Sequence, residues 1–234
     1  NLVGGFFLNH PQLNKQMFDY RNTSIHDYDD ELLNDYDERI NKGKPQLIIF
    51  HLLGQHFQYS SRCKSGMKRF SIKDYTRSDL SDHAKQTIAD YDNATLYNDF
   101  VLSKIVERFR NKEAIVVYLS DHGEDCYGKD VDIAGRLTEV ENIDVKKDHE
   151  EFEIPFWIWC SPAYRQRHHK IFIEIMKARH NRFMTDDLPH LLLYLAGIST
   201  KEYKAERNVI SPRFNNKRPR LVLNSIDYDK ALHQ

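Results

Sequence analysis

The sequence predicts an α/β fold in which a mostly parallel sheet is flanked by helices. Two apolar runs, 47–50 and 114–120, have the length and composition of buried strands. Between them, residues 81–110 show the helical spacing of apolar side chains, with Ser81 or Asp82 at the capping position. A strand, a helix and a strand in this order predict a right-handed βαβ unit, the building block of such a sheet.

Other segments carry further signals of regular structure. These predicted elements are a helix over 29–40, a strand over 154–160, a basic helix over 163–182, a helix that Thr185 caps and Gly197 ends, and a short strand over 221–223. The 234 residues, of which 40% are hydrophobic, suffice for one sizeable core. We therefore expect residues 1–234 to belong to a single domain.

The overall composition narrows the class of function. The net charge is −1 with 29% charged residues, so there is no electrostatic reason to expect a nucleic-acid partner. The mean hydropathy is −0.68 and no apolar run approaches the length that spans a bilayer. The three cysteines are widely spaced and form no zinc-knuckle or CxxC pattern.

Polar side chains follow both predicted strands at the point where each ends. Asp121 and His122 come directly after the 114–120 run, while His51 and His56 follow the 47–50 run. In open α/β sheets the carboxyl ends of neighbouring strands meet in one crevice, so we expect the four side chains to converge there. Imidazole nitrogens with a carboxylate oxygen are a ligand set typical of zinc.

Several of these residues also have a structural interpretation. His51 follows an apolar run and, taken alone, is better interpreted as a core histidine. Glu124 and Asp125 are interpreted as solvated acids or as outer partners of the metal ligands. Cys126, two residues past Glu124, fits either a reactive thiol or, as the favoured interpretation, an ordinary structural cysteine, and Cys160 is expected to be a small core residue. The basic residues between Arg207 and Arg220 fit either an anionic lipid or glycan contact or a solvated tail.

Taken together, the segments that carry these residues resemble the membrane phosphoethanolamine transferases of Gram-negative bacteria. These enzymes are the branch of the alkaline phosphatase and sulfatase superfamily that modifies lipid A and surface glycans. The resemblance spans about residues 45–198 and follows the family's order of motifs. The matching segments are His51-Leu-Leu-Gly-Gln-His56, Tyr91-Asp-Asn-Ala-Thr-Leu-Tyr97, Tyr118-Leu-Ser-Asp-His-Gly-Glu124, Ile154-Pro-Phe-Trp and the helix that begins Asp186-Asp-Leu-Pro-His.

The resemblance implies a zinc enzyme whose ligands include Asp121 and His122. His56 matches a residue of the second metal or phosphate position, and His51 matches another active-site histidine. A zinc-activated threonine would take phosphoethanolamine from phosphatidylethanolamine and pass it to a hydroxyl of lipid A or another glycan. The protein would sit in the inner membrane, with residues 1–234 forming part of a single catalytic domain that faces the periplasm.

Two departures from the family pattern qualify this expectation. The family's threonine, a metal-binding glutamate and the membrane helices all precede the matching region, so we expect a fragment that is inactive alone. The family also has a histidine about a dozen residues after the Asp-His-Gly-Glu motif, where this sequence has Ala134. The second metal site is therefore in question, with His149 as a weak substitute ligand and Arg136 as a possible phosphoryl-binding group.

Two other functions fit the same residues. The first is a metal-dependent hydrolase of the same superfamily, a sulfatase or phosphodiesterase, for which water is the acceptor. The second is a glycan- or lipid-binding relic without catalysis, favoured by Ala134 and opposed by the retention of Asp121, His122 and His56. The enzymatic interpretations require that these three side chains share one cleft.

Overall fold

The computed structural model describes residues 24–36, 43–128, 131–136 and 143–233. Its helices are α1 (Asp82–Phe109), α2 (Pro162–Arg167), α3 (His169–Ala178), α4 (Leu188–Leu195) and α5 (Tyr228–His233). Its strands are β1 (Ile115–Leu119), β2 (Asp125–Cys126), β3 (Ala134–Gly135), β4 (Phe156–Cys160), β5 (Leu221–Val222) and β6 (Ile226–Asp227). Short 3-10 turns occupy Asp29–Tyr36, Tyr59–Ser61, Ser65–Met67, Ile72–Asp74, His149–Glu151, Thr185–Asp187 and Ala205–Arg207.

Helix α1 is the long helix that the sequence predicts over 81–110. Its first turn is capped by Ser81, whose hydroxyl oxygen accepts a hydrogen bond from the backbone N–H of Ala84 at 3.2 Å. The apolar stripe of α1 buries four side chains in one core cluster, together with Leu33 and Cys63. These four are Tyr97, Val101, Ile105 and Phe109. The prediction of this helix is confirmed.

Strands β1 and β4 form the central ladder. They pair antiparallel, with Ile115 opposite Cys160 and Leu119 opposite Phe156. Pro155, which cannot donate to a ladder, lies just before β4, as the sequence predicts. The two other strand pairs of the described residues, β2 with β3 and β5 with β6, are also antiparallel. The predicted βαβ unit and its parallel pairing are therefore wrong for the part of the chain that the structure describes.

The apolar run 47–50 is extended, but it is not a strand of any sheet among the described residues. Its side chains alternate as those of a strand do: Ile48 and Phe50 pack on the α1 core, whereas Leu47 and Ile49 are 79% and 62% exposed. A sheet strand also needs a hydrogen-bonded neighbour, and no described segment pairs with this run. The run therefore keeps the alternation of a strand without the ladder.

The carboxyl-terminal third differs from its prediction in detail. One basic helix was expected over 163–182, but the backbone leaves helical geometry at His168 (φ −115°, ψ 45°) and divides it into α2 and α3. Thr185 begins a 3-10 turn and caps no helix, so that prediction is wrong. Gly197 does end α4, in a left-handed conformation with φ +68°. The short strand near 221 is confirmed as β5.

At the amino-terminal side, the helix predicted over 29–40 is a 3-10 helix, Asp29–Tyr36, and residues 37–40 lie outside the described residues. Asp29 binds the backbone N–H groups of Leu53 and Gly54 at 3.0 and 2.8 Å. These bonds fix the turn that precedes His56. As for membrane spans, none of the helices that the structure describes is long and apolar enough to cross a bilayer.

Candidate metal centre

A single large cavity runs along β1. Its volume is about 2370 Å³, and its wall includes residues 43–56, residues 111–124 and one face of α1. His51, His56, Asp121 and His122 all line it. The loops after Phe50 and after Ser120 therefore open onto one common cleft, which is the arrangement that the enzymatic interpretations require.

Asp121 and His122 form the compact part of the site. The Oδ1 atom of Asp121 lies 3.8 Å from Nε2 of His122. The Nδ1 atom of His122 lies 2.6 Å from the carbonyl oxygen of Gly123, so this nitrogen carries the proton and donates it. Nε2 is left with a free lone pair. Two ligands of one tetrahedral zinc lie about 3.3 Å apart, so a small rotation of Asp121, whose side chain is 78% exposed, would bring both onto one ion.

The two other histidines do not complete the site. His51 and His56 are exposed, and His56 Nδ1 makes a long contact of 3.4 Å with the Phe57 carbonyl oxygen. Among the described residues, no group of three or more His, Cys, Asp or Glu side chains is arranged to hold a metal ion. The structure therefore places Asp121 and His122 within 3.8 Å of each other, and His51 and His56 line the same cavity without forming a metal-binding group with them among the described residues.

Gly123 explains how the loop keeps this shape. It is buried, and its N–H donates to the carbonyl oxygen of Glu151 at 3.0 Å. A Cβ at this position would meet the carbonyl oxygen of Glu150 at 1.9 Å and that of Glu153 at 2.7 Å. Only glycine permits the loop 121–124 to pack so closely on residues 149–153.

The residues that could replace the missing family histidine lie elsewhere. Ala134 pairs with Cys126 in the small β2–β3 ladder. His149 contacts the Lys146 carbonyl oxygen through Nδ1 at 3.2 Å and is not part of the cavity wall. Arg136 is likewise absent from that wall. The geometry gives none of these residues a position beside Asp121.

Asp125 corrects one interpretation of the sequence. It was expected to be a solvated acid or an outer partner of the metal ligands, but it is only 1% exposed, and no cationic group among the described residues binds its carboxylate. Burial, followed by the charges of Glu151, Glu150 and Asp148, raises its pKa to about 6. A short two-residue strand gives no periodicity from which this burial could have been predicted.

The thiols and phenols near the site are protonated at neutral pH. Burial, followed by the negative charges of Asp92 and Glu124, raises the pKa of Cys126 to about 12. Burial and the charge of Glu124 also raise the pKa of Tyr91 to about 12. Cys126 is therefore an unreactive thiol, as expected, and Cys160 is buried. All three cysteines of the chain are free.

The basic residues near the carboxyl terminus are not a free cationic tail. Arg207 and Arg218 both bind the buried carboxylate of Asp187, and Arg220 binds Asp229 at 2.6 Å. Arg218 also reaches Asp186 at 2.7 Å. The expectation of a solvated or lipid-binding tail is wrong for these three arginines, because Arg207 and Arg218 bind the turn that precedes α4 and Arg220 binds α5.

The helices and small sheets around this cavity define an α/β fold of the alkaline phosphatase and sulfatase type. The family model described as Sulfatase matches residues 5–198. The chain belongs to this family, and the resemblance drawn from its motifs is confirmed.

Individual relatives are more specific. Over 181 residues the chain is 33% identical to phosphoethanolamine transferase EptC of Escherichia coli K12, which covers 76% of this chain and 30% of that protein. It is 30% identical over 124 residues to the Kdo(2)-lipid A phosphoethanolamine 7''-transferase of the same organism, covering 53% and 21% of the two chains. This chain thus spans less than a third of the length of either relative.

A solved structure is similar over almost the whole chain. It is the carboxyl-terminal periplasmic domain of EptC from Escherichia coli in complex with Zn, with a TM-score of 0.68 and 28% identity. The match covers 91% of this chain and 60% of that domain.

Proposed function

We propose that this chain is part of the catalytic domain of a zinc-dependent phosphoethanolamine transferase that faces the periplasm. The observation that carries the proposal is the pair Asp121 and His122, which opens onto the cavity at the end of β1 with Nε2 of His122 free to bind a cation. Support comes from the names of the similar proteins and from the zinc complex of a similar domain.

The donor would be phosphatidylethanolamine and the acceptor a hydroxyl of lipid A or a related glycan. In this transfer the P–O bond to diacylglycerol breaks and a new P–O bond forms to the acceptor oxygen. The proton of the acceptor hydroxyl ends on the diacylglycerol oxygen. When bound, zinc neutralises charge on the phosphoryl oxygens and lowers the pKa of a coordinated hydroxyl.

The residues of this chain have distinct tasks in that reaction. Asp121 and His122 would hold the ion, and the Gly123 carbonyl oxygen keeps the His122 ring in the tautomer that presents Nε2. His56 and His51, from the second part of the wall, are proposed to contact the phosphoryl group.

Zinc binding by the chain itself tests the proposal. Isothermal titration with ZnCl₂ should give one site that is weaker than a four-ligand structural site, because only two ligands come from these residues. Asp121→Ala and His122→Ala should each weaken binding by at least about tenfold, as removal of a ligand exceeds the effect of removing its outer partner.

His149→Ala is the matched control, since His149 lies outside the cavity wall, and it should leave zinc binding unchanged. If zinc binds equally well to the Asp121 and His122 variants, the proposed centre is wrong. Failure of a longer protein that contains this chain to bind zinc would favour the binding-only relic. A product assay on the protein that contains this chain separates transfer from hydrolysis, because a hydrolase releases free phosphoethanolamine without modifying a glycan.

A further inference from the structure

We propose that the solvent side of α3 is a docking surface for a bilayer that contains anionic phospholipid. This basic face combines four cations with two apolar side chains that belong to neither core cluster. Its members are Arg165, Lys170, Ile173, Met176, Lys177 and Arg179. None of them lines the cavity of the proposed metal centre, so the inference goes beyond the proposed function and does not depend on it.

The sequence concentrates positive charge in this segment. Residues 161–180 contain five lysines and arginines but a single acidic residue, Glu174. The carboxylate of Glu174 accepts a hydrogen bond from the hydroxyl of Tyr194 in α4 at 2.7 Å, so it faces the protein and not the solvent. The segment therefore has no carboxylate of its own that neutralises the cations of the basic face.

Helical spacing places the basic face on the solvent side of α3. Three side chains of the helix pack against the core around Leu191: Ile171, Ile175 and Ala178. At 3.6 residues per turn, Ile173, Met176 and Lys177 point in roughly the opposite direction. Met176 is 47% exposed, and Lys177 is exposed as well. The face thus presents apolar surface and charge side by side.

The cations of the basic face differ from the arginines next to them. Arg167 binds Glu113 at 3.0 Å, and Arg182 binds Asp229. Within the part of the chain that the structure describes, no salt bridge involves any of the four cations of the basic face. Arg165 lies over an aromatic ring of α3, 5.7 Å from its centroid, and not beside a carboxylate. Four unpaired cations on one exposed surface are complementary to an anionic partner.

The mixture of side chains favours a lipid bilayer over a soluble acidic protein as that partner. Ile173 and Met176 lie among the cations, so the face offers apolar contact as well as charge. Lysine and arginine can lay their methylenes on apolar matter while their charged ends stay at the level of phosphate groups. A convex helix surface of this kind fits the soft boundary of an anionic leaflet, where each cation strengthens binding by about fivefold.

Cosedimentation of the intact chain with lipid vesicles tests the docking surface. Vesicles of phosphatidylglycerol mixed with phosphatidylcholine should bind the chain, and about 0.5 M NaCl should release it because salt screens the charges. Vesicles of phosphatidylcholine alone should not bind it. The double variant Lys170→Gln, Lys177→Gln should bind the mixed vesicles about 25-fold more weakly, at about fivefold for each cation. Met176→Gln should weaken binding by about threefold, because apolar contact is lost.

The matched control is the double variant Lys73→Gln, Lys104→Gln, which removes two exposed cations from other parts of the surface. It should bind the mixed vesicles as the unaltered chain does. No binding of the unaltered chain, or equal loss in the two double variants, would overturn the docking surface. Normal vesicle binding by Met176→Gln, together with equally tight binding of the unaltered chain to soluble poly-L-glutamate, would assign the face to an acidic protein and overturn it too. Zinc titration is independent of each of these results.

Discussion

Asp125, near the metal loop, and Asp187, at the start of α4, are buried to the same extent, each with 1% exposure, yet their surroundings differ completely. Asp187 is bound by two arginines, Arg207 and Arg218. Asp125 has no cationic partner among the described residues, and the charged groups that act on it are the carboxylates of Glu151, Glu150 and Asp148. Burial of a charge is costly unless it is paired, so the two regions represent opposite solutions. The pairing around Asp187 stabilises the fold, whereas the unpaired Asp125 lies near the proposed metal centre.

Removal of both arginines that bind Asp187 should have the largest effect on the stability of the chain. In the double variant Arg207→Met, Arg218→Met, the buried carboxylate of Asp187 loses both cations. The free energy of unfolding should fall by about 3–5 kcal/mol, because an uncompensated charge is left in the interior. Urea unfolding followed by circular dichroism measures this change.

Arg213→Met provides the control for that double variant, since Arg213 is an exposed residue of the same loop. Its stability should match that of the unaltered chain within about 0.5 kcal/mol. A double variant as stable as the control would mean that the two arginines do not stabilise the buried carboxylate of Asp187. The contrast with Asp125 would then make no difference to the free energy of unfolding.

The opposite change, removal of the buried and unpaired charge of Asp125, should stabilise the chain. Asp125→Asn removes a carboxyl group whose pKa burial raises to about 6 from the usual 3.8. Since the raised pKa favours the protonated form, the folded chain loses stability as the pH rises from about 4 through 6. At pH 8 the variant should be more stable by about 3 kcal/mol, and near pH 4 the two proteins should be alike.

Unfolding midpoints at several pH values between 4 and 8 measure this difference, with Asp99→Asn as the control for removal of an exposed acid. The decisive feature is the pH dependence of the difference. A gap that stays constant from pH 4 to pH 8 would show that titration of Asp125 is not its origin.

The same comparison shows what the sequence could and could not predict. Ser81, the apolar stripe of α1 and the run before Asp121 are local signals, and the structure confirms the elements they predict. The burial of Asp125 depends on contacts with the 149–151 turn, about two dozen positions away, so no local pattern contains it. The pairing of Asp187 with Arg207 and Arg218 is likewise set by the path of the tail.

The wrong topology has a physical cause of the same kind. Residues 47–50 have the alternation of a strand, and a helix and β1 follow them, so a βαβ unit was the natural prediction. Alternation fixes which side chains face the core, but the ladder partner is chosen by distant segments. β1 pairs with β4, which the sequence predicted as a strand without indicating its neighbour.

Two buried asparagines of α1 reproduce the contrast between satisfied and unsatisfied groups on a smaller scale. Asn93 accepts hydrogen bonds from the backbone N–H groups of Arg69 and Phe70, at 2.6 and 2.9 Å, and donates to the Phe70 carbonyl oxygen at 2.9 Å. Asn98 has one bond and an unpartnered oxygen. Their exposed fractions are 1% and 5%.

Asn93→Ala should lower the free energy of unfolding by about 2 kcal/mol, because three backbone groups lose their partner and only solvent can replace it. Asn98→Leu, the matched variant, should change it by less than about 1 kcal/mol, since it removes an unsatisfied oxygen together with a single donor. Urea unfolding compares the two, and limited proteolysis near residue 69 should be faster only for Asn93→Ala. If Asn98→Leu were the more damaging change, the side-chain oxygen of Asn98 would have to be satisfied within the protein, and the contrast with Asn93 would not hold.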